Sequence, residues 1–390
     1  MDSIEHRVVV LGAGYAGLTA AARLARRVDT ALVGVTLVNA RDEFVQRPRL
    51  HQVATGQELA PLPLTGFLAG TAVDLVIGTA HDIDTTARTV TVDTAEGRRE
   101  IAYDTLVYAL GSRVDTTSVP GIGEHAHVLE PSTAAALAEA TTGTLVVCGG
   151  GLTGIEAATE FAESRPGLTV RLVSRGEPGA HLSPAAKEHV DAAFTRLGVD
   201  VVSGAAVTEI TERALLLDDG TTVDFDVCVW AGGFTVPELA AEAGLTVDRA
   251  GRAIVDDRLR SVSHPGIHVI GDAAALAGTW GDSLAYGCRS GGFQGPYIAD
   301  ALAKAISGGR PEPFTFRHIH QCVSLGRKDA VIQFVHASDE SPRNAVLRGR
   351  VAVWYKDLVL GSAVFMFGGP GPGPYLPHRR VRPAGAMEEA

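Results

Sequence analysis

The feature that most restricts how this 390-residue chain can fold is a strand, glycine loop, helix and strand series that occurs twice. Arg7-Val-Val-Val-Leu11 leads into Gly12-Ala-Gly-Tyr-Ala-Gly17, an Ala/Leu-rich helix through Leu24, and the strand Val35-Thr-Leu-Val38. The same order returns as Thr144-Leu-Val-Val-Cys148, Gly149-Gly-Gly-Leu-Thr-Gly154, the helix Ile155 to Ala162 and the strand Thr169-Val-Arg-Leu-Val173. In such a loop the first glycine permits the tight turn, the second lets a pyrophosphate approach the backbone, and the third lets helix and strand pack closely. The helix N-terminus then faces the anion. A single glycine loop also occurs as an ordinary turn, but two in the same βαβ context predict two dinucleotide-binding units.

The duplication continues past the loops. Thr89-Val-Thr-Val-Asp93 and Leu215 to Val223 alternate as hairpins do, and each unit closes on a buried strand ending in small residues, Tyr103 to Gly111 and Phe225 to Gly233. After residue 254, Gly266-Ile-His-Val-Ile-Gly-Asp272 and a helix from about Gly291 to Ile306 read as a return to the first unit. The expected architecture is α/β, with a discontinuous first Rossmann-like domain (1–118 and 254–310), a second inserted at 119–253, and a smaller C-terminal segment, 311–390. That segment holds the strand Ala330 to Val335, an amphipathic stretch Val346 to Phe367, the run Gly368-Gly-Pro-Gly-Pro-Gly-Pro374 and a loose tail.

Composition removes several classes. Apolar residues make up 46% and charged residues 20%, as in a packed soluble protein. Lys plus Arg number 34 against 45 Asp plus Glu, and the net charge of −11 has the wrong sign for neutralising many phosphates, so no nucleic-acid partner is expected. Cys148, Cys228, Cys288 and Cys322 are too dispersed in sequence for a zinc site or a close redox pair, which predicts no metal and fits a reducing cytoplasm. The first strand starts too early to leave room for a signal peptide, and Leu358 to Phe367 is about half the ~20 residues of a membrane-spanning helix.

The ordered set of motifs resembles the two-dinucleotide-binding-domain flavoproteins, and among them the type II NADH dehydrogenase-like group. The residues that carry the resemblance are Gly12 to Gly17, the crossover strands Tyr103 to Gly111 and Val229-Trp-Ala-Gly-Gly233, Gly149 to Glu156, and Ile270-Gly-Asp-Ala-Ala274. It implies FAD on Gly12, Gly14, Tyr15, Ala16 and Gly17, with Gly111, Gly271 and Asp272 near the flavin; Asp272 would bind the ribityl chain, as a carboxylate accepting from hydroxyls can. NAD(P)H would visit Gly149, Gly151 and Gly154. Where the family has an acidic residue for the adenosine ribose, this chain has Asn39, either an FAD contact or a plain turn residue. The matching position of the second unit is Ser174 followed by Arg175, either a seat for a 2′-phosphate or a solvated arginine. Glu156 either complements the helix dipole or works near the nicotinamide.

The segment Arg41 to Gln52 matches the family region that passes beside the flavin, with Pro48 in place. Arg41 is a further expected cofactor contact. Arg47, Arg49, His51 and Gln52 make the segment polar and basic, which suits a polar or acidic acceptor, and His51 has an ordinary pKa fit for relaying protons. The quinone-mouth pattern of the respiratory enzymes is broken in Cys288-Arg-Ser-Gly-Gly-Phe-Gln294, although Gln294 and Gly295 remain. The expected activity is hydride transfer from NAD(P)H through FAD to a quinone or other small acceptor, by two half-reactions. The alternatives are a soluble tailoring oxidoreductase and an FAD-carrying, redox-responsive binding protein with little turnover. A sulfide:quinone reductase would require Cys322 to meet Cys288. A homodimer and a weak peripheral membrane contact through the basic C-terminal stretch stay open.

Overall fold

The computed structural model describes residues 4–277, 287–368 and 380–384. The Gly/Pro run after Gly368 and most of the tail lie outside the described residues, as do the side chains of Cys288 and Arg289.

The first unit opens with β1 (His6–Leu11), α1 (Tyr15–Arg27) and β2 (Val33–Asn39), followed by the short α2 (Leu50–Ala54). Then come the long β3 (Val73–Asp84), β4 (Thr89–Thr94), β5 (Gly97–Ala102) and β6 (Thr105–Tyr108). In the seven-stranded sheet β1 lies between β2 and β6, parallel to both. Val8 to Leu11 are buried without alternation, as expected of a strand covered on both faces. β3 pairs parallel with β2 through Ile77 and then antiparallel with β4 from Gly78 onward, so a single strand turns the parallel core into a hairpin edge.

The strand Ile267–Val269 joins this first sheet beside β6, although more than 150 residues separate them. The second sheet is a separate five-stranded parallel layer, Gly143–Cys148 at its centre, flanked by Leu168–Ser174 and Val227–Trp230. Where the chain leaves and re-enters the first unit, Arg113–Val114 pairs antiparallel with Phe234–Thr235. The helix Cys288–Ile306 packs on α1, tied to it by a bidentate Arg23 and Asp300 pair at 2.7 and 2.8 Å and by Arg27.

The C-terminal segment is a three-stranded antiparallel sheet, His320–Ser324, Ala330–Val335 and Pro342–Arg348, followed by the helix Gly349–Gly368. The exposure of that helix inverts its chemistry: Val351, Trp354 and Leu358 face solvent, while Ala352, Lys356 and Leu360 are buried on one i, i+4, i+8 face. No helix among the described residues is long and apolar enough to cross a membrane. Part of the tail is docked, since Val381 exchanges backbone hydrogen bonds with Arg27 and Asp29 beyond the end of α1.

The glycine loops are sterically matched. A Cβ on Gly17 would overlap the carbonyl oxygen of Gly12, and one on Gly154 would overlap that of Gly149, whereas Cβ atoms on Gly14 and Gly151 would meet nothing. Gly17→Ala and Gly154→Ala are therefore expected to lose at least about 2 kcal/mol each, while Gly14→Ala and Gly151→Ala stay close to the parent in chemical denaturation. Equal stability of all four variants would contradict this packing.

Candidate functional site

Each glycine loop delivers an uncapped helix start. α1 begins at Gly14 and the helix Leu152–Ser164 at Gly151, neither with a side-chain cap, so backbone N–H groups at both starts are available to an anion. Gly12 (φ +96°) and Gly149 (φ +127°) hold a conformation closed to side chains, and the space beside Gly14 and Gly151 is open. Both cradles fit a dinucleotide pyrophosphate. Tyr15 and Ala16 contribute backbone to the first; the Tyr15 ring packs edge-on against Phe44 at 5.0 Å.

Asp272 lies at the end of the returning strand, where Ser112 donates to its Oδ2 at 2.6 Å and the Gly287 N–H donates to Oδ1 at 2.7 Å. Ser112 follows Gly111 (φ +66°), and its carbonyl accepts from Arg47 at 2.7 Å. The crossover strand, the Gly271-Asp272 turn and the basic segment therefore meet. Both carboxylate oxygens keep a lone pair for ligand hydroxyls. Gln294, buried in the helix Cys288–Ile306, accepts from the Gly271 N–H at 2.5 Å, so it braces that turn. Pro48 is the middle residue of the 3-10 turn Arg47–Arg49 that leads into α2, and Arg41 is exposed just past β2.

Asn39 is spent locally. Its Oδ1 accepts from the Ala13 N–H at 2.9 Å and its Nδ2 donates to the Arg41 carbonyl at 2.7 Å, so the amide splints the glycine loop to the end of β2. Ser174 ends the corresponding strand of the second unit, buried against Gly150, and Arg175 is exposed beside it.

The structure brings His51 and Glu156 together and adds two residues that sequence reasoning missed. Lys356 donates to Glu156 Oε1 at 2.5 Å and to Ser324 Oγ at 2.7 Å, and the Ser324 N–H donates to the same Glu156 oxygen at 3.0 Å. His51 Nδ1 lies 3.7 Å from the other oxygen, Oε2. Burial by itself would raise the Glu156 pKa, but Lys356, His51 and the Ser324 hydrogen bond reverse the effect and hold it below the ordinary carboxylate value. Burial pushes His51 down to about 4 despite the neighbouring carboxylate, so the imidazole is neutral at pH 7. Its Nε2 is buried with no hydrogen-bond partner among the described residues, a polar atom left for a ligand. The sequence signal for Lys356 is a lysine sharing a helical face with Ala352 and Leu360 inside an otherwise apolar run.

A polar pocket opens beside this cluster, with Arg49, Gln52, Gln57, Ser324, Arg327 and Lys356 in its lining. Arg49 binds Asp357 at 2.7 Å and Arg327 binds the fully buried Glu160 at 2.6 Å, so the charges of these two guanidiniums are matched. The cysteines form no exposed redox centre among the described residues. Cys148 and Cys228 lie 3.8 Å apart on neighbouring strands of the buried second sheet, where their mutual contact and burial push the Cys148 thiol up. Cys322 sits on the strand His320–Ser324, and Cys288 belongs to the side chains not described.

Residues 6–294 match the family profile described as pyridine nucleotide-disulphide oxidoreductase. A type II NADH:quinone oxidoreductase of Mycobacterium tuberculosis is 29% identical over 380 residues, spanning 84% of this chain and 79% of that protein. A demethylphylloquinone reductase of Synechocystis is 24% identical over 389 residues, spanning 93% and 96%. Among solved structures, the NADH complex of NDH2 from Plasmodium falciparum superposes with a TM-score of 0.79 at 14% identity, covering 93% of this chain and 97% of that one. The sulfide:quinone oxidoreductase of Aquifex aeolicus gives 0.77 at 18% identity, covering 98% of each chain. At these identities the two structures establish a shared fold.

Two outcomes follow from the buried cluster. Lys356→Met strands a buried carboxylate and is expected to cost about 3 kcal/mol or more in urea denaturation, with much of the loss recovered when Glu156→Gln is added. Strictly additive losses would show that the two side chains are uncoupled. His51 has a folded pKa below its unfolded value near 6.5, so the unfolded chain takes the proton first. Its contribution is complete above about pH 6.5 and is lost as pH falls towards 4. The stability advantage of the parent over His51→Gln should therefore shrink by roughly 3 kcal/mol between pH 7.5 and pH 4, and a pH-independent difference would contradict the buried neutral imidazole.

Proposed function

The chain belongs to the pyridine nucleotide-disulphide oxidoreductase family, and from that premise we propose that it is an FAD-dependent NAD(P)H dehydrogenase whose acceptor is a quinone. The observation that carries this reading is the pair of matched glycine cradles on two separate parallel sheets, both opening on uncapped helix starts. FAD, when bound, supplies a carrier that accepts a hydride from a nicotinamide and gives two electrons to an acceptor. Gly12 and Gly14 would form the turn around its pyrophosphate, with Gly17 packed on the Gly12 carbonyl, and Asp272, oriented by Ser112 and Gly287, would accept from its chain hydroxyls. Gly149 and Gly151 would likewise receive the pyrophosphate of NAD(P)H, with Gly154 packed on the Gly149 carbonyl.

Glu156 lies in the second turn of the second cradle's helix, just past the first turn, where the sequence reading places it. Lys356 and Ser324 fix its Oε1, so the carboxylate does not reorganise when the donor arrives. His51 presents a neutral Nε2 that can give or take one hydrogen bond at the same interior site. Reduction of a quinone to the quinol also takes up protons, and Lys356, which reaches both Glu156 and the polar pocket, places a hydrogen-bond donor at that boundary. The polar lining of the pocket supports a compact, oxygen-rich acceptor, which keeps the soluble tailoring oxidoreductase as a second reading.

Anaerobic stopped-flow mixing of the purified protein with NADH or NADPH tests the assignment. The yellow absorbance should bleach within one turnover and return on adding a naphthoquinone, with parallel-line steady-state kinetics. Rapid reoxidation by hydroxylated naphthoquinones but not by ubiquinone analogues would favour the tailoring reading. A protein that neither holds nor takes up a flavin would refute the proposal.

A further inference from the structure

We propose that the second cradle selects NADPH over NADH through Arg175 at the adenosine end; the inference deepens the donor half of the function proposed above and rests on it. In a βαβ dinucleotide unit the end of the second strand meets the adenosine ribose. A carboxylate there accepts from the 2′-hydroxyl of NAD, whereas a nearby arginine accommodates the 2′-phosphate of NADP. Here the strand Leu168–Ser174 ends in a neutral hydroxyl residue. Ser174 is close enough to the glycine loop that a Cβ on Gly150 would overlap its Oγ.

The turn that follows is tied to the same loop, because the Gly179 N–H donates to the Gly150 carbonyl at 3.0 Å. Arg175 is thus carried on a short connection fixed at both ends to the phosphate cradle. It is exposed, and among the described residues no hydrogen bond or ion pair engages its guanidinium. Beside it, Gly176 has open space around it.

The carboxylate that could offset Arg175 is turned to other partners. Glu177 Oε1 accepts from Ser203 Oγ at 2.9 Å, and its Oε2 lies 3.9 Å from Lys187 Nζ. Lys187 itself binds Asp191 at 2.6 Å on its own helix. Arg175 therefore remains the one cation of this turn without a carboxylate among the described residues. A 2′-phosphate carries nearly two negative charges at neutral pH and presents oxygens suited to a guanidinium fork.

The test measures binding of adenosine fragments to the flavin-loaded protein by calorimetry, beside steady-state kinetics with both donors. 2′,5′-ADP should bind at least about tenfold more tightly than 5′-AMP, and Arg175→Ala should reduce that ratio by roughly ten- to a hundredfold. Arg175→Glu should invert it, and the NADPH to NADH ratio of kcat/KM should move in parallel. Melting temperatures matching the parent would show that the variants fold. Equal affinity for the two fragments, or an equal loss for both in Arg175→Ala, would overturn the inference. The fragment ratio requires no hydride transfer, so a failure of the oxidoreductase reading would appear separately, as the absence of flavin reduction by either nicotinamide.

Discussion

The buried ion pair between Glu156 and Lys356 is the contact on which the arrangement of the site depends. Removing two charges from water costs several kcal/mol per ion, so such a pair persists only where further hydrogen bonds complete it. Ser324 does so twice, donating its N–H to the carboxylate and accepting from the ammonium through its hydroxyl. The three residues come from the helix of the second nucleotide unit, the C-terminal sheet and the C-terminal helix, while His51 reaches the same carboxylate from α2 of the first unit. One carboxylate thus sets the relative position of four segments distant in sequence. The geometry of the site and the cohesion of the C-terminal segment with the nucleotide units are one physical problem.

The two cradles show how the same backbone device is adapted by its second strand. Both use a left-handed first glycine and a third glycine pressed against it, and both leave the middle glycine open. At the end of the strand they differ. Asn39 turns its amide inward and splints the first loop, whereas Ser174 lies flat against the second loop and passes the surface to Arg175. A side chain committed to its own loop rigidifies the cradle; a short one beside an unmatched guanidinium leaves the cradle open to a charged ligand. The two strand ends therefore present different chemistry, an amide occupied by its own loop in the first unit and an exposed guanidinium in the second.

The region beside the buried pair is built differently. Its polar pocket is lined from three sequence regions, and its guanidiniums are matched by Asp357 and the buried Glu160. Such a surface offers hydrogen-bond donors without a large net field, and donors of this kind discriminate by oxygen placement more than by charge. The basic segment Arg47 to Gln52, read in sequence as suiting a polar or acidic acceptor, is thereby tempered. Arg47 is partly used on the Ser112 carbonyl and Arg49 is held by Asp357.

What the sequence determined by itself was the local and the periodic. The two glycine loops, the apolar strands beside them and the return through Gly271-Asp272 were legible because each follows from steric limits within a few residues: a glycine at positive φ, a continuous run of β-branched residues, a helix that must start where no side chain blocks an anion. Glu156 and His51 stood out as candidates, but not their meeting, since 105 positions separate them in sequence. Tertiary structure alone decided that Lys356 points inward while Trp354 points out, that Ser324 completes the pair, and that Asn39 is occupied while no partner among the described residues engages Arg175. The physical reason is that a backbone preference is fixed by neighbours along the chain, whereas the protonation, pairing and exposure of a side chain are fixed by whatever the fold packs against it.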